Sequence, residues 1–306
     1  MEGKEINMKT LMEEKMDTFV GYCEVELIDD YMGVTFPMAV MYPTCTPGKT
    51  ENVGPYSMDV SINSEPKEGV FPLILISHGS GGGHLLYRTL AHHLAYNGFI
   101  VGMLEHPFNN RNNNSLEGTV KNLINRPRHL CTAIDWFFNS KNFGKLLKPD
   151  SVSIIGHSMG GYTALAVAGG LPTSFPHESP EGQPQQISVM HDNRVKALVL
   201  LAPASVWFME KGALNGVNIP ILMFTAEKDE YTPNFHAQII LNGVHDNKKI
   251  IYRSVKNAGH FSFLSPFPKS MTKVEFLPCQ DPSGFNRKDF HHEMNIKILD
   301  FLLREL

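Results

Sequence analysis

The hydrophobic pattern of the chain changes near residue 71. Before that point, the segments 19–28 and 34–41 partly alternate apolar and polar residues, which is typical of antiparallel strands with one face in water. After it come short continuous apolar runs that are typical of strands buried on both faces, namely FPLILIS, FIVGMLE, SVSIIG, VKALVLLA, IPILMFTA and KIIYRSV. The pattern predicts an N-terminal antiparallel hairpin followed by parallel strands, in a mostly parallel sheet of about eight strands.

Segments with helical spacing separate these apolar runs, at 85–96, 120–138, 162–168, 233–241 and 290–303. Thr232 followed by Pro233 is typical of an N-cap and a first helical residue. Alternating strands and helices predict a doubly wound α/β fold, whose ligands bind at the carboxyl ends of the strands. Because no repeat or low-complexity tract divides the chain, we expect residues 1–306 to form a single domain.

Two long segments, 171–193 and 265–288, fit no strand–helix unit and contain several prolines. Loops of this length are often functional, and these two follow the segments that carry the candidate catalytic residues described below. We therefore predict that they cover part of the binding pocket.

Composition and charge exclude several classes of protein. The 306 residues are 42% hydrophobic and 19% charged, which suits a large core and excludes a disordered or fibrous chain. The formal net charge of -4 provides no basic surface for nucleic acid. The N-terminal MEGKEINMKTLMEEKMD has no apolar region of a secretory signal, and no stretch approaches 18 continuous apolar residues, so we expect no membrane span.

Cysteine usage points to a reducing compartment. The four cysteines are scattered, with no CxxC pair and no histidine at zinc-finger spacing, at positions Cys23, Cys45, Cys131 and Cys279. We expect neither a disulfide framework nor a metal, and we predict a cytoplasmic protein.

The strongest chemical motif is GHSMGG, which lies directly between the strand SVSIIG and the helical segment YTALAVA. A GxSxG sequence in this context predicts a nucleophile elbow, in which flanking glycines allow a tight turn that exposes the Ser158 hydroxyl. The N–H of Met159 lies at the N-terminus of the following helix, where it can face an oxyanion. An ordinary glycine-flanked turn is the alternative interpretation.

A serine hydroxyl needs a base, and the chain offers 14 histidines. In an α/β-hydrolase the chain order is Ser, acid, His, with the histidine on a loop after the last strand. Only His260, in KNAGHFSF after KIIYRSV, fits this order well. His236 and His245 precede that strand, so we predict His260 as the base.

The acid is expected between Ser158 and His260 at the end of a strand. The strand VKALVLLA has no carboxylate until Glu210, whereas IPILMFTA is followed by Glu227, Asp229 and Glu230. We predict Asp229, because a short carboxylate there can accept the imidazole Nδ1–H and fix the tautomer. Glu227 is the next candidate.

The second oxyanion donor is expected in the glycine-rich loop HGSGG after FPLILIS, where the N–H of Ser80 is our prediction and Gly81 the alternative. This loop is not a phosphate-binding loop, because it lacks the last glycine of GxGxxG and the chain contains no GxxxxGK[ST]. The absence of HExxH argues against zinc hydrolysis, and we predict no cofactor.

Several stretches resemble the serine hydrolases grouped as platelet-activating-factor acetylhydrolase-like proteins and predicted dienelactone hydrolases. The resemblance is carried by SHGSGGGHLLYRTLAHHLAYNGFIVGMLEHP, GHSMGGYTALA and AGHFSF, together with VGYCEVELIDD, MAVMYPT and CQDPSGFNRKDFHHEM. Dienelactone hydrolases use a cysteine nucleophile where this chain has Ser158. The eukaryotic acetylhydrolases carry their acid one strand earlier, where this chain has Ala202 and Pro203. The resemblance implies an α/β-hydrolase fold and esterase chemistry without fixing the substrate.

The sequence therefore predicts a serine carboxylic-ester hydrolase with the triad Ser158, Asp229 and His260 and the oxyanion donors Ser80 and Met159. We expect a neutral ester substrate, with a lactone or an acyl thioester as the alternative. A catalytically silent binding protein with the same fold is the competing class.

Overall fold

The computed structural model describes residues 18–273 and 275–306. The charged N-terminal segment 1–17, on which the prediction of no secretory signal rests, lies outside the described residues. Ten strands occur in the described part: β1 (Phe19–Asp29), β2 (Val34–Thr44), β3 (Lys49–Val53), β4 (Tyr56–Ile62), β5 (Phe71–Ser77), β6 (Ile100–Leu104), β7 (Leu147–His157), β8 (Val195–Leu201), β9 (Ile221–Ala226) and β10 (Ile250–Val255).

The strands form one sheet in the order β10-β9-β8-β7-β5-β6-β2-β1-β4-β3. The six strands from β5 to β10 are mutually parallel, and β1 and β2 form the N-terminal antiparallel hairpin, in which Phe19 pairs with Thr44 and Asp29 with Val34. The predicted mixed sheet and hairpin are confirmed. The prediction of about eight strands was too low, because it missed the outer hairpin β3–β4, where β4 buries only alternate residues.

Five α-helices connect or flank these strands in the described residues: α1 (Arg88–Tyr96), α2 (Val120–Asn139), α3 (Met159–Val167), α4 (Phe235–Gly243) and α5 (Arg287–Glu305). The prediction that Thr232 caps a helix beginning at Pro233 was wrong. The helix α4 begins at Phe235, and the single proton of the Thr232 hydroxyl instead lies between two acceptors, Ala202 O at 3.0 Å and Asp229 Oδ2 at 2.9 Å. None of the helices in the described residues is long and apolar enough to cross a membrane.

The sheet separates two apolar layers. Helices α2, α3 and α4 pack on one face, and α1 and α5 pack on the other. Along β5, Leu73 and Leu75 face the first layer while Ile74 and Ile76 face the second, because successive side chains of a strand point to opposite faces. This double burial explains the continuous apolar runs in the sequence.

A proline inside α2 produces a contact with α3. Pro127 has no N–H, so the carbonyl of Leu123 lacks its usual helical donor four residues later. The hydroxyl of Tyr162, in α3, donates to that carbonyl at 2.9 Å. The proline is therefore accommodated without leaving the Leu123 carbonyl unsatisfied, and α2 is attached to the helix that follows Ser158.

Candidate active site

Ser158 lies at the sharp turn between β7 and α3. Its backbone has φ 54° and ψ -119°, a conformation that a residue with a side chain rarely adopts. Glycine is required on both sides of the turn: a Cβ at Gly156 would lie 2.2 Å from Gly160 O, and a Cβ at Gly160 would lie 1.9 Å from Ser77 O. These close approaches explain why the sequence GHSMG forms a strained elbow at this position.

Two cavities meet at Ser158. The smaller has a volume of about 230 Å³ and is lined mainly by apolar side chains, with His260 and the exposed Arg111 also present. The wider has a volume of about 430 Å³ and is more polar, with two carboxylates in its lining, those of Glu117 and Glu178. Ser158 and the loop residue Ser80 border both cavities, so an ester carbonyl placed at Ser158 has space on two sides.

The imidazole of His260 lies against the carboxylate of Asp229. Its Nδ1 is 3.0 Å from Oδ1 and 2.9 Å from Oδ2 of Asp229, and both side chains are almost completely buried. The carboxylate follows β9, and the histidine lies on the loop after β10. The structure thus brings together the predicted acid and base, although they are 31 residues apart in the chain.

Asp229 is held in its ionised form. Burial opposes ionisation, but hydrogen bonds from His260 and from the N–H and hydroxyl of Thr232 outweigh burial and lower the pKa of the Asp229 carboxyl. The other candidate acids, Glu227 and Glu230, are exposed, and Glu227 accepts the N–H of Asn257 at 2.7 Å. Geometry therefore favours Asp229 as the partner of the imidazole.

Ser158 and His260 line the smaller cavity together, but no hydrogen bond joins the hydroxyl to the imidazole within residues 18–273 and 275–306. Catalytic hydrogen bonds are commonly long in the free enzyme and shorten when substrate binds. The two side chains share a cavity wall, which is the arrangement that a serine and its base require.

The two predicted oxyanion donors lie near Ser158, in the lining of the same cavity. The N–H groups of Ser80 and Met159 have no hydrogen-bond acceptor among the described residues, although both residues border the wider cavity. The Ser80 loop lies close to the elbow, since a Cβ at Gly79 would be 3.5 Å from Ser158 Oγ. Unpaired N–H groups beside a serine hydroxyl are the donors that a tetrahedral oxyanion needs.

Comparison with known proteins identifies the fold. A family model described as the alpha/beta hydrolase fold matches residues 72–177, which include the Ser80 loop and the elbow. A ferulic acid esterase from Streptomyces cinnamoneus is similar over 94% of this chain and 90% of its own, with a TM-score of 0.65 and 17% sequence identity. The chain has the α/β-hydrolase fold.

No curated protein sequence matches the chain. The family match is to α/β-hydrolases in general, so the narrower resemblance to the platelet-activating-factor acetylhydrolase-like group stays a prediction. The α/β-hydrolase fold nevertheless explains the geometry, because β5, β7 and β9 are parallel to one another and end at the same edge of the sheet. The loops and turns that follow them carry Ser80, Ser158 and Asp229.

A second hydrogen-bonded contact in this site was not predicted from the sequence. The Nε2 of His157 is 3.0 Å from the carbonyl oxygen of His260, and its Nδ1 is 2.9 Å from the hydroxyl of Tyr87. Because a carbonyl only accepts, Nε2 carries the proton and Nδ1 accepts from Tyr87. Burial and the nearby His260 lower the pKa of His157 to about 3, so it is neutral and holds the His260 backbone.

Both long loops contribute residues to the cavities. His177 and Glu178, from segment 171–193, line the wider cavity, while Phe276 and Pro278, from segment 265–288, line the smaller one. Glu178 accepts the indole N–H of Trp207 at 2.9 Å. Within the described residues no group of three or more His, Cys, Asp or Glu side chains is arranged to hold a metal ion.

Proposed function

We propose that the protein is a serine carboxylic-ester hydrolase that acts on a neutral ester through an acyl-enzyme. The observation that carries this proposal is the buried Asp229–His260 pair, whose histidine borders the same cavity as a serine held on a strained elbow. The α/β-hydrolase fold and the similarity to a ferulic acid esterase support the same class of chemistry.

In the acylation step, Ser158 Oγ attacks the ester carbonyl carbon while Nε2 of His260 takes the hydroxyl proton. The carbonyl oxygen becomes an oxyanion that accepts hydrogen bonds from the N–H groups of Ser80 and Met159. The tetrahedral intermediate then collapses, the bond between the carbonyl carbon and the alkoxy oxygen breaks, and His260 gives its proton to the departing alcohol. Asp229 keeps the proton of the imidazole on Nδ1 and stabilises the imidazolium.

In the deacylation step, His260 takes a proton from a water molecule as its oxygen attacks the acyl-enzyme carbonyl. The same oxyanion donors act again. Collapse releases the carboxylic acid, and the proton on His260 returns to Ser158 Oγ. The two steps together consume one ester and one water and produce one acid and one alcohol.

The cavities favour a neutral substrate. The smaller cavity is lined mainly by apolar side chains that include Leu86, Leu264 and Phe276, and the arginine in that lining, Arg111, is exposed to solvent. The wider one contains the carboxylates of Glu117 and Glu178. An anionic acyl group in the wider cavity would be repelled by both carboxylates in a partly water-excluded space. A lactone or an acyl thioester could enter the same reaction, because the triad attacks any activated acyl carbon.

The experiment combines labelling with a substrate panel. A fluorophosphonate should label wild-type protein at Ser158, and p-nitrophenyl esters should be hydrolysed faster than matched lactones and acyl thioesters. Ser158→Ala should lower kcat by about 10⁴-fold or more and remove the labelling, with an unchanged circular dichroism spectrum. A wild-type protein that is neither labelled nor active would support the silent binding class and contradict the proposal.

We further propose a cytoplasmic location. All four cysteines are free thiols in the structure, and in an oxidising compartment such thiols commonly form disulfides. Cell fractionation with an antibody against the protein tests this location, and recovery in a secreted fraction would contradict it.

A further inference from the structure

Arg126 is a buried arginine that hydrogen-bonds to segments close to the candidate active site. It lies in α2, has no solvent-exposed surface, and is among the largest fully buried side chains in the described residues. Its guanidinium donates to four side-chain or backbone oxygens, those of Thr163, Asn109, Ser77 and His78. Two of these contacts lead to the two oxyanion donors, whose role rests on the proposed function.

One series of hydrogen bonds, which we call the Ser80 path, leads from Arg126 to Ser80. Arg126 Nη1 donates to Asn109 Oδ1 at 2.7 Å, and Asn109 Nδ2 donates to Ser80 Oγ at 2.8 Å. The hydroxyl of Ser80 then donates to Glu117 Oε1 at 2.7 Å. Since a guanidinium only donates, Arg126 fixes which end of the Asn109 amide faces Ser80, and the chain of bonds sets the position of the Ser80 residue.

A second series of hydrogen bonds, which we call the Met159 path, leads from Arg126 to Met159. Arg126 Nε donates to Thr163 Oγ1 at 2.9 Å, and this hydroxyl donates to Met159 O, also at 2.9 Å. Thr163 is therefore held between the guanidinium and the first residue of α3. Between the two paths, Nη2 of Arg126 donates to the carbonyl of His78, in the loop that carries Ser80.

Arg126 carries a positive charge for which the described part of the chain provides no counter-ion nearby. No carboxylate of the described residues lies within ion-pair distance of its guanidinium, whereas Arg128, two residues later, pairs with Asp29 at 2.6 Å. Burial lowers the pKa of Arg126 to about 9, so the group remains charged at neutral pH. A buried cation without a counter-ion is costly for a fold to retain, which argues for a role that neutral side chains could not supply.

We infer that Arg126 is a positioning residue. It holds both N–H donors of the oxyanion hole in place, through Asn109 to Ser80 and through Thr163 to Met159. Its positive charge, which no carboxylate of the described residues pairs with, also favours negative charge at the oxyanion that these donors bind. Arg126 therefore acts in the transition state, because an oxyanion exists there and not in the bound ester.

The test measures kcat, KM and the inhibition constant of a trifluoromethyl ketone, which forms a charged tetrahedral adduct on a reactive serine. Every rate is divided by the concentration of sites titrated with a fluorophosphonate, so that unfolded protein does not contribute. Arg126→Met should lower kcat by about 100-fold, leave KM close to that of wild type, and raise the inhibition constant in proportion to the fall in kcat.

Thr163→Val provides a second variant that keeps the buried charge. It removes only the Met159 path, with little change in side-chain shape, and should lower kcat by about tenfold. Thr163→Ser, which restores the hydroxyl, should recover most of the lost activity. If Arg126→Met does not fold, the two Thr163 variants still decide whether the path to Met159 acts on the transition state.

Arg128→Met is the matched control, because it removes another arginine of the same helix whose contacts lead to Asp29 and Asn125. It should lower the melting temperature and leave kcat per titrated site unchanged. Equal kcat and inhibition constants in wild type, Arg126→Met and Thr163→Val would overturn the inference. Failure of the proposed function would differ, because wild type itself would show neither ester hydrolysis nor labelling.

Discussion

The exchange Asp229→Asn replaces one oxygen of the acid with an amide nitrogen, and the structure determines which one. Oδ1 of Asp229 accepts the backbone N–H groups of Tyr231 at 2.9 Å and Thr232 at 2.8 Å. An amide NH₂ in that place would face two donors, so the asparagine must keep its oxygen there. Its NH₂ group must then occupy the position of Oδ2, which is 2.9 Å from His260 Nδ1.

This orientation favours the wrong tautomer of the imidazole. Oδ1 is also 3.0 Å from His260 Nδ1, but it already accepts two backbone N–H groups. The NH₂ group at the position of Oδ2 donates, so Nδ1 accepts from it and the ring proton moves to Nε2. A protonated Nε2 cannot take the proton from Ser158, while the shape of the site is unchanged. We expect kcat to fall by about 10⁴-fold, the loss found when a triad carboxylate becomes an amide, with KM close to that of wild type.

The assay is the hydrolysis of p-nitrophenyl acetate, followed for wild type, Asp229→Asn and Glu227→Gln at equal concentrations of folded protein. Glu227→Gln is the control, because that exposed side chain accepts only the N–H of Asn257 among the described residues, and a glutamine oxygen can do the same. Its kcat should equal that of wild type. A severe loss in Glu227→Gln together with a mild one in Asp229→Asn would refute the assignment of the acid.

Two other predictions concern stability and specificity. The folded-state pKa of Asp229 lies below the ordinary 3.8, so its ionisation stabilises the fold above that pH, and the stabilisation is lost as the pH falls through the folded-state pKa. Urea titrations at a series of pH values should therefore show a smaller acid-induced fall in the free energy of unfolding for Asp229→Asn than for wild type. Equal falls in the two proteins would contradict this. Replacing residues 176–186 with a Gly-Ser linker removes His177 and Glu178 from the wider cavity. The kcat/KM values of different esters relative to one another should then change more than the melting temperature of the protein does. An unchanged substrate profile would exclude the loop as a specificity element.

The sequence by itself determined the elements that bury apolar surface on both faces. Continuous apolar runs such as FPLILIS and VKALVLLA gave the parallel strands, because every position of such a strand faces one of the two helical layers. The elbow was also predictable, since close backbone approaches at Gly156 and Gly160 exclude any side chain there. The hairpin β3–β4 was missed because KTENV buries only Val53, too little for an apolar pattern.

Tertiary structure decided which distant polar groups meet. Local pattern left Glu227 and Asp229 as alternatives, and only the fold shows that Asp229 alone of the two turns inward to His260. The Arg126 paths to Ser80 and Met159 have no signal in sequence spacing, because they join α2 to a loop and to another helix. Hydrogen bonds depend on distances and directions between segments that only packing brings together. The burial of a strand or helix, by contrast, can be predicted from the apolar pattern of its own residues.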